Sequence, residues 1–356
     1  MSAHSDAVQE SQWHLAYLDL PQAHHITSGA GVTVGLPDSG VSPHLDLKDN
    51  LAQGTDTVPG GDGTGRTDAS GHGTHMAGII AGHSHGHAGD DGVLGIAPAA
   101  KILPVRTSSA EDGGPDLATG IKWAAENGAR VINVSAVTAR SKILDDAVHA
   151  ANRADSVLVA AAGNNTSSIL FGYPAAIPGV LAVGAINRSG EHASFSTTGP
   201  KVEICAPGSN IVTTALNNGY RIVSGTSAAT AIVSGAAALV RSEFPELTAP
   251  EVIHRLTSTA TDIGPPGRDE ECGFGVLNVV KALTADVPPL GSSAGPGTGA
   301  PGSATASASA GGTAGARPEP ESSGAVWPAV IGGGAAIIVT GTIVALLVSQ
   351  RRRQPQ

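Results

Sequence analysis

Residues 224–240 read S-G-T-S-A-A-T-A-I-V-S-G-A-A-A-L-V, a glycine turn and a serine followed by a run of small and apolar residues. A helix from Thr226 to Glu243 with this composition is apolar nearly all round, so it has to be buried. The rest of the chain must supply what covers it. The same pattern places Ser227 at the helix N-terminus, where backbone N–H groups and the positive end of the helix dipole favour negative charge. That environment suits a serine nucleophile whose substrate develops an oxyanion. It also suits a plain N-cap serine, Ser224 or Ser227, before an apolar run. Deciding between the two requires a base and an orienting acid elsewhere.

The covering elements are legible in order. Residues 11–28 predict a lead-in that packs Trp13, Leu15 and Leu18 onto the domain. A strand over 31–36 ends at P-D-S-G, which puts Asp38 at the carboxyl end of a strand, where open α/β sheets place their sites. Residues 54–65 are glycine-rich and predict a loop. In 70–82, S-G-H-G-T-H-M-A-G-I-I-A-G, two glycines flank His72 before a small-residue helix. His83, His85 and His87 follow in H-S-H-G-H, which predicts a solvated loop more readily than a metal site. Strands are then expected at 101–105, 131–134, 156–162 and 180–185, and helices at 116–127 and 143–153. The apolar run at 156–162 has no alternation, as in a parallel strand covered on both faces. Thr248-Ala249-Pro250-Glu251 has the form of a capping box opening one more helix. This alternation predicts an α/β fold with a mostly parallel sheet and helices on both faces.

Composition adds boundaries. The 356-residue chain carries a net charge of −10, which argues against a nucleic-acid partner. Residues 287–325 turn to Gly, Ala, Ser and Pro and cannot bury a core, so a flexible linker is expected. Residues 326–348 hold no charge and are followed by Arg351, Arg352 and Arg353. A helix of that length, at about 1.5 Å per residue, spans a hydrocarbon core of about 30 Å. The arginines place the 349–356 tail on the cytoplasmic side. The expected organisation is a lead-in at 1–30, a domain at 31–286, the linker, one C-terminal transmembrane helix at 326–348 and a basic tail. Residues 1–10 have no basic start or apolar stretch and do not read as a signal peptide. An extracytoplasmic domain therefore predicts an export signal ahead of Met1. The two cysteines, Cys205 and Cys272, permit one disulfide or none.

Asp38 in D-S-G, His72 in G-H-G-T-H and Ser227 in G-T-S stand 34 and 155 residues apart. A serine hydroxyl is a poor nucleophile until a base takes its proton, and a histidine base needs an acid to fix its tautomer. The order Asp, His, Ser is that of subtilisin. With G-I-A-P-A-A-K-I-L-P-V-R at 95–106, V-L-V-A-A-A-G-N at 157–164, Y-P-A-A-I-P-G-V-L-A-V-G-A at 173–185 and the A-P-G at 206–208, the chain resembles the subtilisin-like serine peptidases over about residues 11–286. Its Q-W-x-L lead-in, Pro/Gly-rich linker, C-terminal apolar segment and basic tail resemble the mycosins attached to type VII secretion systems.

The resemblance implies that Asn164 points its amide at the oxyanion and that 135–138 forms one wall of the specificity pocket. In a secreted domain the two cysteines are expected to pair as a Cys205–Cys272 disulfide, with two buried free thiols as the alternative. Three positions depart from the family pattern. Pro37 precedes Asp38 where Ile or Leu is usual, and proline there removes a backbone donor and threatens to re-aim the aspartate. Ala231 stands at a usual proline. The wall usually reading S-L-G-G reads Ser135-Ala136-Val137-Thr138, with branched side chains in place of glycines. No H-E-x-x-H motif occurs, and no metal or cofactor is expected.

The expectation is a membrane-anchored serine endopeptidase, its catalytic domain outside the cytoplasm. Asp38, His72 and Ser227 form its triad, Asn164 its oxyanion hole, and Ser135, Ala136 and Val137 its substrate contacts. Its expected partners are a protein or peptide substrate, the membrane and a type VII secretion complex. The alternative is a subtilisin-fold structural subunit of such a complex with weak or no activity.

Overall fold

The computed structural model describes residues 6–86, 91–108, 116–165 and 172–290. The linker beyond residue 290, the 326–348 segment and the basic tail lie outside the described residues, as does His87. Among the described residues no helix is long and apolar enough to cross a membrane.

Three short helices open the chain: α1 (Asp6–Glu10), α2 (Trp13–Tyr17) and α3 (Leu20–Ile26). Then come β1 (Thr33–Asp38), β2 (Thr55–Asp56), α4 (His72–Ala81), β3 (His83–His85), β4 (Asp91–Leu94) and β5 (Lys101–Arg106). The middle alternates α5 (Leu117–Glu126), β6 (Val131–Val134), α6 (Lys142–Arg153), β7 (Val157–Ala161) and β8 (Leu181–Ile186). The last part holds β9 (Ile204–Pro207), β10 (Ile211–Ala215), β11 (Gly219–Val223), α7 (Thr226–Glu243), α8 (Ala249–Ser258) and α9 (Val279–Thr284).

Seven strands form one sheet in the order β2-β5-β1-β6-β7-β8-β9. Every pairing in it is parallel. Both faces are covered, which is why β6, β7 and β8 are buried at every residue and show no alternation. Successive residues of a strand point to opposite faces. Val131, Val157 and Val159 accordingly join the core shared with α4 and α7. Ile132, Val134 and Leu158 join the one shared with α5 and α6.

In α7, every residue except Ser227, Ser242 and Glu243 is buried. Its polar groups are satisfied internally: Thr230 Oγ1 donates to the Thr226 carbonyl at 2.7 Å, and Ser234 Oγ to Asn133 Oδ1 at 2.9 Å. Gly235 lets α7 approach Ile96, since a Cβ there would lie 2.5 Å from the Ile96 Cβ. The capping box before α8 is formed, with Thr248 N and Oγ1 both donating to Glu251 Oε2.

The lead-in is clamped at Gln12 and Trp13. Trp13 Nε1 donates to the Ser209 carbonyl at 3.0 Å, while the Gln12 amide exchanges two bonds with the Leu94 backbone. Trp13 and Leu18 are buried and Leu15 packs beside them.

Two expectations need correction. The stretch after α4 is not simply a solvated loop, because His83–His85 pairs antiparallel with β4. The cause is Asp46, fully buried, which accepts from His85 Nδ1 at 2.5 Å and from Val93 N at 2.8 Å. Proline in β1 does not deflect Asp38. The ladder to β6 has already ended at Gly35, while the Asp38 carbonyl accepts from Thr107 N at 2.8 Å.

Candidate active site

Asp38 stands on the last residue of β1, the strand flanked by β5 and β6. His72 is the first residue of α4, and Ser227 the second of α7. Both helices begin at the carboxyl end of the sheet, so one edge collects all three. His72 Nδ1 lies 2.8 Å from Asp38 Oδ1 and 3.0 Å from Oδ2. With an ionised carboxylate as acceptor, Nδ1 carries the proton, which leaves Nε2 with its lone pair. The aspartate is buried and the imidazole half-buried, so this bond is shielded from water.

The histidine is aimed by a network that the sequence patterns do not reveal. Asp68, buried, accepts from Ser39 Oγ at 2.9 Å and Gly71 N at 2.8 Å through Oδ1. Through Oδ2 it accepts from Thr74 N at 2.9 Å and Thr74 Oγ1 at 2.6 Å. Ser39 Oγ in turn accepts from Gly73 N at 3.0 Å, so the residue after Asp38 is tied to the residue after His72. Gly73 has to be glycine for this approach: a Cβ would sit 2.0 Å from the Gly40 carbonyl oxygen and 3.2 Å from Asp38 Oδ1. The signal available beforehand was an aspartate four residues ahead of His72, a spacing suited to a side chain that accepts from the following turn.

Ser227 is half-buried at the mouth of α7. Its Oγ donates to the Ser135 carbonyl at 3.0 Å, and Ser135 Oγ donates back to the Ser227 carbonyl at 3.0 Å. The nucleophile candidate is thus pinned to the end of β6. Asn164 follows β7 and is exposed. Its Oδ1 accepts from Thr226 N at 3.0 Å and Thr226 Oγ1 at 3.1 Å. Because the amide oxygen is engaged by the residue before Ser227, the NH2 group is free to face the cleft.

His72, Asn164 and Ser227 line one cleft of about 260 Å³, together with His75, Met76, Ala228 and the β11 residues Arg221, Ile222 and Val223. His75 was not singled out in the sequence. Burial lowers its pKa to about 4, helped by the neighbouring His72 and Arg221, so it stays neutral beside the site.

Ser135, Ala136 and Val137 run on from β6. Ser135 and Ala136 are buried, and Val137 is half-buried. Thr138 N donates to the Tyr173 carbonyl at 2.8 Å, and Val137 packs against Gly172, where a Cβ would meet Val137 Cγ1 at 2.0 Å. Cys205 in β9 and Cys272 form a disulfide, remote in role from the cleft. Among the described residues no group of three or more His, Cys, Asp or Glu could hold a metal ion.

This fold has known counterparts. The subtilase family model matches residues 29–275. A thermostable alkaline protease of Halalkalibacterium halodurans is 40% identical over 262 residues, covering 72% of this chain and 70% of its own. Subtilisin DY of Bacillus licheniformis is 40% identical over 261 residues, covering 71% and 91%. The chain belongs to the subtilase family and is a subtilisin-like serine-type endopeptidase. Among solved structures it is similar to the mycosins. MycP1 from Mycobacterium smegmatis superposes with a TM-score of 0.70 at 31% identity, covering 81% of this chain and 88% of its own. The MycP3 protease from the type VII (ESX-3) secretion system does so at 0.69 and 34%, covering 80% and 91%.

Proposed function

We propose that this chain is a membrane-anchored endopeptidase that cleaves a protein substrate outside the cytoplasm in the service of a type VII secretion system. Ser227 is the nucleophile, His72 the general base and acid, and Asp38 its orienting partner. The observation that carries the chemistry is the His72 Nδ1–Asp38 carboxylate bond on one cleft with Ser227 and Asn164.

The mechanism follows from that geometry. A hydroxyl has one proton to donate, and here Ser135 holds it. Rotation of Ser227 about χ1 redirects it to His72 Nε2. As Oγ attacks the scissile carbonyl, Nε2 takes the proton and the imidazolium is stabilised by Asp38. The carbonyl oxygen becomes an oxyanion, met by the Asn164 amide and the Ser227 N–H at the start of α7. A side-chain donor of this kind is worth about 2.7–4 kcal/mol of barrier. The imidazolium then protonates the leaving amine, and water repeats the sequence to free the acyl group. Ser135, Ala136 and Val137 hold the acyl side of the peptide.

The secretion role is supported by the likeness to MycP1 and MycP3. The anchor is supported by the uncharged 326–348 segment and the three arginines after it. The Gly, Ala, Ser and Pro composition of the 39 residues from 287 to 325 supports a linker between domain and anchor.

A second reading, a structural subunit with little activity, is favoured by Val137 filling the space over Gly172 where the family has glycine. One experiment separates them. A serine-reactive phosphonate is expected to label the wild-type chain and not Ser227→Ala, with turnover falling about 10⁶-fold. A wild-type chain that resists labelling supports the structural subunit. On intact cells, external protease is expected to remove the domain while sparing the C-terminal tail. A domain protected until lysis overturns the location.

A further inference from the structure

The cleft carries one residue whose charge the catalytic chemistry does not use. Arg221 lies on β11, next to Ile222 and Val223, and faces the same space as His72 and Ser227. It is exposed, and among the described residues its guanidinium makes no hydrogen bond or ion pair. Several other arginines of the domain are engaged. Arg66 donates to the Leu51 carbonyl, Arg241 pairs with Asp155, Arg255 donates to the Ala285 carbonyl and Arg268 to Pro200. The charge is also uncompensated by its cleft neighbours. The lining holds no carboxylate, and its other basic groups are the two histidines.

Placement tells which part of a substrate meets this charge. Ser227 Oγ is bound to Ser135 on one side, and the acyl half of the peptide lies along Ser135–Val137 in the reading above. The lining of this cleft contains Arg221, Ile222, Val223 and Ser224 but none of residues 135–137. A peptide crossing Ser227 therefore sends its leaving-group half over β11. Among the described residues that strand pairs only with β10, which leaves its outer edge open to an extended chain. The net charge of −10 does not counter the effect, because at physiological salt charges beyond about 8 Å are screened and the nearest one dominates.

We propose that Arg221 makes this peptidase prefer substrates carrying an acidic side chain within the first three residues on the leaving-group side of the scissile bond; this rests on the peptidase reading above. A planar guanidinium is suited to a carboxylate, with which it forms two parallel hydrogen bonds. Ile222, exposed beside it, adds an apolar surface for the next side chain.

The test uses three matched, internally quenched decapeptides of Ala and Leu, with Glu, Gln or Lys at the three positions after a central Ala–Ala bond. Mass spectrometry identifies the bond cut. An exposed pair of this kind corresponds to about a fivefold advantage in kcat/KM for Glu over Gln, with Lys the poorest. The Glu/Gln ratio is expected to fall to one in Arg221→Ala, to invert toward Lys in Arg221→Glu, and to return in Arg221→Lys. It should also shrink in 1 M salt. Equal cleavage of Glu and Gln peptides by the wild type, or a Glu preference that survives Arg221→Ala, overturns the proposal and leaves the peptidase reading intact. Binding of the same peptides to Ser227→Ala, read by fluorescence anisotropy, reports the preference without turnover. Absence of cleavage with tighter binding of the Glu peptide sinks the activity and keeps the recognition. Equal binding of all three sinks the recognition.

Discussion

Asp68 shows how far a single carboxylate outside the proposed triad governs the site. It holds Ser39, Ser70, Gly71 and Thr74 at once, and so sets where α4 begins and where His72 points. Removing it leaves several buried donors without partners, each costing about 1–3 kcal/mol. The expected result for Asp68→Ala is a fall of about 10²-fold in kcat with a smaller change in KM, because a base misplaced by about 1 Å loses that much. Asp68→Asn retains an acceptor for Ser39 and Gly71 and should recover part of the rate. Equal losses in kcat and in thermal stability for both variants would make Asp68 a purely structural residue. Pro37 teaches the opposite lesson. Its missing N–H is a real deficit, yet the ladder to β6 stops before it and Asp38 stays in line with His72.

At the scale of elements, the disulfide joins the end strand β9 to the segment that returns toward α9 across 67 residues. In the chain-entropy model, closing a loop of that length stabilises by about 4 kcal/mol. Cys205→Ser with Cys272→Ser is therefore expected to lower the unfolding free energy by about that amount, read from urea midpoints. Retained catalysis below the transition would confirm that the bond serves stability. A change below about 1 kcal/mol would contradict this account. Most helices and core strands could be read from the chain. α7 matches its expected span, and β6 its own, because burial on all sides leaves an unmistakable apolar run. The β10–β11 ribbon could not be read that way. Residues 219–223 are exposed at their centre and gain their form by pairing with β10. The same holds for β3, whose order depends on a carboxylate at Asp46 far away in sequence. Asp38, His72, Ser227 and Asn164, the proposed catalytic set, could be singled out from spacing and motif; Asp68 and Arg221 could not, since single charged residues outside a run carry no periodic signal.

Over the whole molecule, the lead-in carries the largest acid weakness among the described residues. His14 is fully buried, and neither ring nitrogen has a hydrogen-bond partner. Burial lowers its pKa to about 3 from an ordinary value of 6.5. The unfolded chain therefore takes up a proton below pH 6.5 that the folded chain refuses, and stability falls as pH drops from 6.5 toward 3. At pH 5 this amounts to about 2 kcal/mol. His14→Leu should flatten the stability profile between pH 6.5 and 4 and raise the urea midpoint at pH 5. An unchanged slope would mean that His14 opens to water well before the domain unfolds. The enclosure of α7 has a further consequence, for the enzyme's lifetime. Amide hydrogens on a helix so placed exchange with solvent only when the entire domain opens. Ser227 is anchored at the start of that helix, so an opening that leaves α7 in place also leaves Ser227 in place. Self-digestion must begin in the loops, and each molecule should stay fully competent until the moment it is lost.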